Sequence, residues 1–159
     1  MTKPKSYWLF KSEPDTFGIN HLAKKPKQTE HWDGVRNFQV RNMLRDDIKK
    51  GDLAFFYHSS CTPPGIAGIV EIVKEGYPDP SALNPESKYY DPLSTNEKNR
   101  WFMVDVKLIE TFKHLITLEE LKKHHALENM VVCRRGSRLS ISPVTAKEWE
   151  FIVKLEKKL

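Results

Sequence analysis

Trp101-Phe102-Met103-Val104-Asp105-Val106-Lys107-Leu108-Ile109-Glu110 alternates apolar and polar side chains with a period of two. Phe102, Val104, Val106 and Leu108 share one face, and Met103, Asp105 and Lys107 share the other. The stretch therefore predicts a strand buried on one side and partly wet on the other. Such a strand needs partners, and the chain offers several. Tyr7-Trp8-Leu9-Phe10-Lys11 is aromatic-rich and puts Tyr7, Leu9 and Lys11 on one face, with Trp8, Phe10 and Ser12 on the opposite one. Leu53 to His58 reads as a second strand and Ile66 to Val73 as a third. Small Ala67 and Gly68 within the third predict tight curvature or close approach of another backbone. Val131 to Cys133 and Leu139 to Ile141 read as two short strands around the basic turn Arg134-Arg135-Gly136-Ser137-Arg138.

Helical signals fall between these strands. Pro14 stops the first strand, and a short helix is expected from Ile19 to Lys24, with Phe17 as a staple and a weak start at Gly18. Pro26 to Glu30 is a polar connector. Val40, Leu44 and Ile48 recur at helical spacing in a run from Asn37 to Lys49, closed by Gly51. Thr117-Leu118-Glu119-Glu120 and Thr145-Ala146-Lys147-Glu148 are capping boxes, the second opening a helix whose apolar side holds Trp149, Ile152 and Val153. From Gly76 to Asn99 prolines, tyrosines, serines and asparagines predict a long loop, pinned by Tyr89 and Tyr90. With 159 residues, no repeat and no linker, the expectation is one α+β domain over 1–159. Its centre is a curved sheet or small β-barrel flanked by short helices.

Composition narrows the function classes. Charged residues make up 30% and the net charge is +5, a mild bias towards polyanionic partners. No apolar run is long enough to cross a bilayer, and Met1-Thr2-Lys3-Pro4-Lys5 lacks the apolar core of a signal peptide. Cys61 and Cys133 show no metal-ligand spacing and no disulfide framework. A cytoplasmic protein is expected, nuclear if the source is eukaryotic, with no membrane partner and as a monomer.

The chemistry concentrates in His31-Trp32-Asp33-Gly34-Val35-Arg36-Asn37-Phe38. This stretch combines an imidazole, an indole, a carboxylate, a glycine, a guanidinium and an amide just before a helix. Those groups can stack on a flat ring, hydrogen-bond its edge and hold a neighbouring phosphate. Trp32 reads equally well as a core residue capped by polar neighbours. Trp32, Tyr57 and Trp8 can supply aromatic faces, Trp8 being also the natural core residue of its strand. Ser12, Asn37, Ser59 and Asp33 can read a base edge, and Lys11, Arg36, Arg134 and Arg138 can meet phosphates.

No glycine-rich phosphate loop, dinucleotide fingerprint or GxSxG elbow is present. His124-His125 is a charged helix end, since adjacent helical residues point apart. His31, His58 and His114 have no ligand spacing, so neither a metal nor another cofactor is expected. Cys61 beside His58 is a nucleophile only if the fold aligns them.

Several segments together carry a family likeness. Tyr7-Trp8-Leu9-Phe10-Lys11-Ser12-Glu13-Pro14, then His31 to Asn37, then Phe55-Phe56-Tyr57-His58-Ser59 resemble the EVE domain family. Pro63-Pro64-Gly65-Ile66-Ala67-Gly68, Tyr89-Tyr90-Asp91-Pro92, Arg100-Trp101 and Arg138-Leu139-Ser140 with Pro143-Val144 extend the likeness nearly end to end. Gly18 and His21 depart from it, standing where a Ser and an Asp usually cap the first helix. The resemblance implies a PUA-like barrel related to the YTH domains that read modified bases in RNA. It also implies an aromatic pocket for a modified cytosine in DNA or RNA. That pocket would involve Trp32 with its loop, Ser12-Glu13 and Tyr57-His58-Ser59. The expectation is thus a non-catalytic reader of nucleic acid carrying a modified base. Two alternatives stay open. One is a small hydrolase of a modified nucleoside, using Lys11 or His58 with Glu13 or Glu71. The other is a protein-interaction module presenting the loop from Gly76 to Asn99.

Overall fold

The computed structural model describes residues 6–159, so the lead Met1 to Lys5, read above as no signal peptide, lies outside them. Six strands form one mixed sheet: β1 (Tyr7–Ser12), β2 (Thr29–Trp32), β3 (Leu53–His58), β4 (Gly65–Pro78), β5 (Phe102–Thr117) and β6 (Ile141–Val144). Their order across the sheet is β2-β5-β4-β3-β1-β6. Only β1 and β3 run parallel, from Tyr7 opposite Leu53 to Ser12 opposite His58. The other neighbours are antiparallel.

The sheet curls because its two longest strands bend. The β4–β5 pairing shifts register at four points, and each irregularity adds local twist. At Gly68 a Cβ atom would strike the Glu110 carbonyl oxygen of β5 and the Ile19 side chain, so only glycine lets these backbones approach. The close approach expected from Ala67-Gly68 is therefore present. Curling divides the core in two. The inner face gathers Trp8, Phe10, Trp32, Phe56, Val104 and Val106, closed by α2 (Ile19–Ala23) and α3 (Phe38–Asn42). The outer face gathers Leu9, Phe55, Tyr57, Ile66 and Ile116 under α4 (Leu118–Lys122) and α5 (Ala146–Lys158). The period-two reading of β1 holds, with Trp8 and Phe10 inside and Leu9 outside. Trp149 of α5 stacks on Phe55 at 3.9 Å and on Tyr7 at 4.6 Å. A fully buried side chain of this size, such as Phe55, contributes about 2–3 kcal/mol of transfer free energy. Both halves of the α5 capping box form, Glu148 N donating to Thr145 Oγ1 at 3.1 Å and Thr145 N to Glu148 Oε1 at 2.9 Å.

Several elements differ from the sequence reading. Pro14 starts a helix, α1 (Pro14–Phe17), because its missing N–H falls in the first turn where none is needed. Part of the supposed connector is β2, an edge strand pairing with β5, preceded by left-handed Lys27 and Gln28. The run after Asn37 is shorter than expected. It passes into a wide turn at Met43–Asp47, and Ile48 is already extended, its N–H donating to the Met43 carbonyl at 2.9 Å. Val40, Leu44 and Ile48 are nonetheless all buried, as the spacing required. Val131–Cys133 is a 3-10 turn against the outer core, and the last strand begins at Ile141. There β-branched content suggested a strand, whereas the segment turns to pack Val132 and Cys133 against the outer core. β5 extends well beyond Glu110. No helix among the described residues is long and apolar enough to cross a membrane.

Candidate functional site

The ends of the curled sheet leave a seam, and a cleft of about 450 Å³ opens there. One wall is Lys11-Ser12-Glu13, where β1 ends, with Thr16 and Phe17 of α1 and with Ser140. The other is Glu30 to Arg36, with Lys88 and Tyr89 from the long loop. The volume falls in the range that holds a single aromatic ligand.

Trp32 belongs to both the core and the cleft. It is 8% exposed, and its ring meets Phe10, Phe56 and Phe17 edge to face. Its indole N–H meets no acceptor among the described residues, yet no buried side-chain polar atom there goes unpaired. The donor is therefore not sealed from solvent, and the residue lines the cleft. Asp33 follows it at the rim. Burial pushes its carboxyl above the ordinary value, and nearby Asp79 adds to this while His31 opposes it. His31 stands between carboxylates, with Nδ1 2.9 Å from Glu30 and Nε2 3.8 Å from Asp33. On the facing wall, burial lowers the Lys11 ammonium. The cleft thus offers one free N–H donor, a desolvated acceptor carboxylate and cationic groups at its edges.

Gly34 turns the loop. Its φ of +77° suits glycine, and a Cβ would lie 2.6 Å from ring carbons of Tyr89, which lies across the backbone. Its N–H donates to Asp79 Oδ2 at 2.8 Å. Arg36, expected to meet phosphate, is consumed internally. Nε and one terminal nitrogen donate to the Tyr89 carbonyl at 3.0 and 2.7 Å, and the other terminal nitrogen reaches Asp79 at 3.2 Å. The Arg36 guanidinium also lies 5.5 Å from the Tyr89 ring and 5.0 Å from that of Trp101. Burial alone would raise the Asp79 carboxyl, but hydrogen bonds from Ser81 and Gly34 and the charge of Arg36 bring it below the ordinary value. Asp91 behaves alike: burial opposes its ionisation, while Leu93 N–H, Trp101 Nε1, Arg100 and Ser94 hold it low. The expected pin at Tyr89 is real, whereas Tyr90 is exposed.

Ser12, Glu13, Trp32 and Asp33 come together as expected, with Lys11 at the same wall. The Ser12 hydroxyl donates to the Phe17 carbonyl at 2.6 Å, so it shapes the wall through α1. The remaining candidates lie elsewhere. Trp8 is buried under the inner face, its Nε1 donating to Asp52 at 3.0 Å. Tyr57 points to the outer core, where burial pushes its hydroxyl up to about 12. Its odd position in β3 selects that face. His58 accepts the Ile19 N–H at 3.1 Å, and burial lowers its pKa, which keeps the ring neutral for that task. With the Gly18 N–H donated to His21 Nδ1 at 2.7 Å, these two imidazoles replace the missing cap of α2. The Ser59 N–H donates to the Ser12 carbonyl, which supports the wall from behind. Asn37 caps α3, accepting from Val40 N at 3.0 Å. Arg134 and Arg138 are exposed beyond the cleft, although Arg138 is two residues from Ser140. Glu71 sits mid-strand opposite Leu53 and Lys107, away from the cleft. Cys61 meets Pro63, and His58 is already engaged, so no thiol–imidazole pair exists. Among the described residues no three His, Cys, Asp or Glu side chains are grouped to hold a metal.

Asp79, Phe17, Lys88 and Ser140 were missed. Asp79 sits in a proline-rich stretch with no motif around it, and only the Tyr89 pin hinted at that loop.

A curled mixed sheet with a cleft in its seam and the Trp32 loop as one wall defines the class: the chain belongs to the EVE domain family, whose model matches residues 6–155. Among its relatives, thymocyte nuclear protein 1 of Homo sapiens is 46% identical over 170 residues, covering 96% of this chain and 75% of that protein. A crystal structure of human THYN1 in complex with 5-methylcytosine-containing DNA is 45% identical, with a TM-score of 0.92, covering 98% of this chain and 99% of that one. A protein from Pseudomonas syringae is 50% identical, with a TM-score of 0.89 over 94% of this chain and 99% of that one. The PUA-like α+β fold reaches further: an ASCH protein from Zymomonas mobilis shares it at 9% identity and a TM-score of 0.54.

Proposed function

We propose that this chain is a non-catalytic reader of a modified cytosine in nucleic acid, the base entering the seam cleft beside Trp32. The observation that carries the reading is the cleft's hydrogen-bonding set, an unpartnered Trp32 N–H and a half-buried Asp33 carboxylate on residues that line one ring-sized space. A cytosine presents an exocyclic amino donor where thymine presents a carbonyl acceptor, so an acceptor carboxylate selects between them even when both carry a 5-methyl group. Lys11 and Lys88 at the rim meet the flanking phosphates. The related human protein crystallised with 5-methylcytosine-containing DNA supports both the base and the polymer. Such a reader works where nucleic acid is kept, in the cytoplasm or, in a eukaryote, the nucleus.

The test is fluorescence anisotropy with matched DNA and RNA oligonucleotides carrying 5-methylcytosine, cytosine or thymine at one position. Preference for 5-methylcytosine is expected, and Asp33→Asn should erase most of the discrimination against thymine, worth about 1–3 kcal/mol. Equal affinity for all three bases rejects the reading.

One observation favours the hydrolase alternative: Lys11 and Glu13 share a cleft wall. Incubation with methylated and acylated nucleosides, followed by mass spectrometry, decides it, and absence of product at high protein concentration removes it.

A further inference from the structure

Beyond the cleft the long loop and α3 build a second surface. Phe38 is 49% exposed yet rigidly held, its ring stacked on buried Trp101 at 4.7 Å. Two guanidiniums converge on it, Arg41 at 4.9 Å and Arg100 at 5.6 Å from the ring centroid. Arg41 is locked in place, donating to the Arg100 carbonyl at 2.7 Å and to Asn42 at 2.8 Å. Arg100 is neutralised by Asp91 at 2.8 Å and neighbouring Arg45 by Asp46 at 2.7 Å. Arg41 has no carboxylate partner among the described residues, which leaves a preorganised positive charge over an exposed aromatic ring. The surface is also physically joined to the cleft, for Phe38 stacks on Trp101, Trp101 on Arg36, and Arg36 on Tyr89 of the cleft wall.

We propose that Arg41 and Phe38 form a phosphodiester-binding surface for the strand that flanks the base held in the cleft, Arg41 taking a phosphate and Phe38 an adjoining sugar or base. The proposal rests on the reader assignment for what occupies the cleft. Three successive contacts of about 5 Å separate Phe38 from Tyr89, so a strand that advances about 3.4 Å of helix axis per phosphate spans the gap in about five nucleotides. A guanidinium held over an aromatic ring suits this task because its remaining N–H groups offer donors to phosphate while the exposed part of the ring packs against a sugar or base. The Arg36 side chain that the sequence offered for phosphate is tied to Asp79 and Tyr89, and Arg41, five residues further on within α3, carries the free charge.

The experiment titrates the full chain against a labelled oligonucleotide containing one 5-methylcytosine at several salt concentrations. Arg41→Gln should weaken binding about tenfold and make the slope of log K against log salt shallower by about one, with the preference for the modified base intact. Arg41→Lys should restore the slope, and Phe38→Ala should lower affinity while leaving the slope unchanged. Thermal melting and circular dichroism verify that each variant is folded. An Arg41→Gln protein, or Arg41→Glu if that variant misfolds, that keeps wild-type affinity and slope overturns the proposal. If the wild type shows no base preference but Arg41→Gln still loses slope, the surface stands and the cleft reading falls. Absence of any oligonucleotide binding overturns both.

Discussion

The rings of Phe10 and Trp32 meet edge to face with centroids 5.2 Å apart, although β5, β4 and β3 all lie between their strands in the sheet. In a flat sheet four strand spacings would separate them by about 19 Å. The contact is therefore direct evidence of curling, and it places Trp32 at the junction of core and cleft. A residue so placed responds to substitution in two ways that have to be measured separately.

Trp32→Ala should cost about 3–5 kcal/mol of stability, enough to obscure any effect on binding. Trp32→Phe keeps most of the packing against Phe10 and Phe56 but removes the indole N–H. A smaller loss of stability, together with weaker binding of the modified oligonucleotide, is expected from denaturant unfolding and anisotropy on the same preparation. Unchanged binding by Trp32→Phe would remove the N–H from the recognition scheme.

Gly34→Ala forces a side chain into a left-handed backbone and against the Tyr89 ring. The conformational strain alone is about 1–2 kcal/mol. A fall in melting temperature of about 5 °C is expected, with reduced ligand binding because Tyr89 has to leave the wall. Gly51→Ala, also at positive φ but with open space around it, is the control that lowers stability without touching the cleft.

Arg36→Lys removes the planar fork that holds the Tyr89 carbonyl and the buried Asp79 together. Its cost should be about 2–3 kcal/mol even though charge is kept, since an ammonium cannot reproduce the paired hydrogen bonds. The salt dependence of oligonucleotide binding should stay at the wild-type slope, in contrast to Arg41→Gln.

The long loop should loosen in acid. Asp79, through Ser81, Gly34 and Arg36, and Asp91, through Leu93, Trp101, Arg100 and Ser94, have carboxyls held below the unfolded value of 3.8, so the folded chain binds fewer protons than the unfolded chain. Their stabilisation is complete above that value and is lost as pH falls through the folded values. Trp101 donates to Asp91 at 2.7 Å, so tryptophan fluorescence should report the change below about pH 4. In Asp91→Asn the acid transition should be smaller and the neutral-pH stability lower.

The inner and outer faces were legible because strand periodicity depends only on neighbours along the chain. β1, β3 and the alternation of β5 follow from it, as does the α5 capping box. The edge strand β2 was not legible, because Thr29-Glu30-His31 is polar on a strand that buries only Trp32. At the site, Trp32, Asp33, Ser12 and Glu13 were found, whereas Tyr57 and His58, expected there from the family likeness, and Arg36, expected there from its charge, are engaged elsewhere. His58 meets Ile19, 39 residues away, and Arg36 meets Asp79, 43 residues away, and no local pattern encodes which distant segment will claim a polar side chain.

β1 and β3 lie side by side and parallel, so the chain between them, 13–52, must return from the C-terminal end of β1 to the N-terminal end of β3. The Trp32 loop rides on that crossover, its own wall completed by Tyr89 and the facing wall by Ser140, both from much later segments. Loop-closure entropy makes contacts of such long sequence separation costly to gather. The order of assembly follows: neighbouring hairpins form first, and the cleft takes shape only when the tertiary structure closes. Ligand occupancy therefore ought to register chiefly in the unfolding rate, since it braces the part of the molecule assembled last.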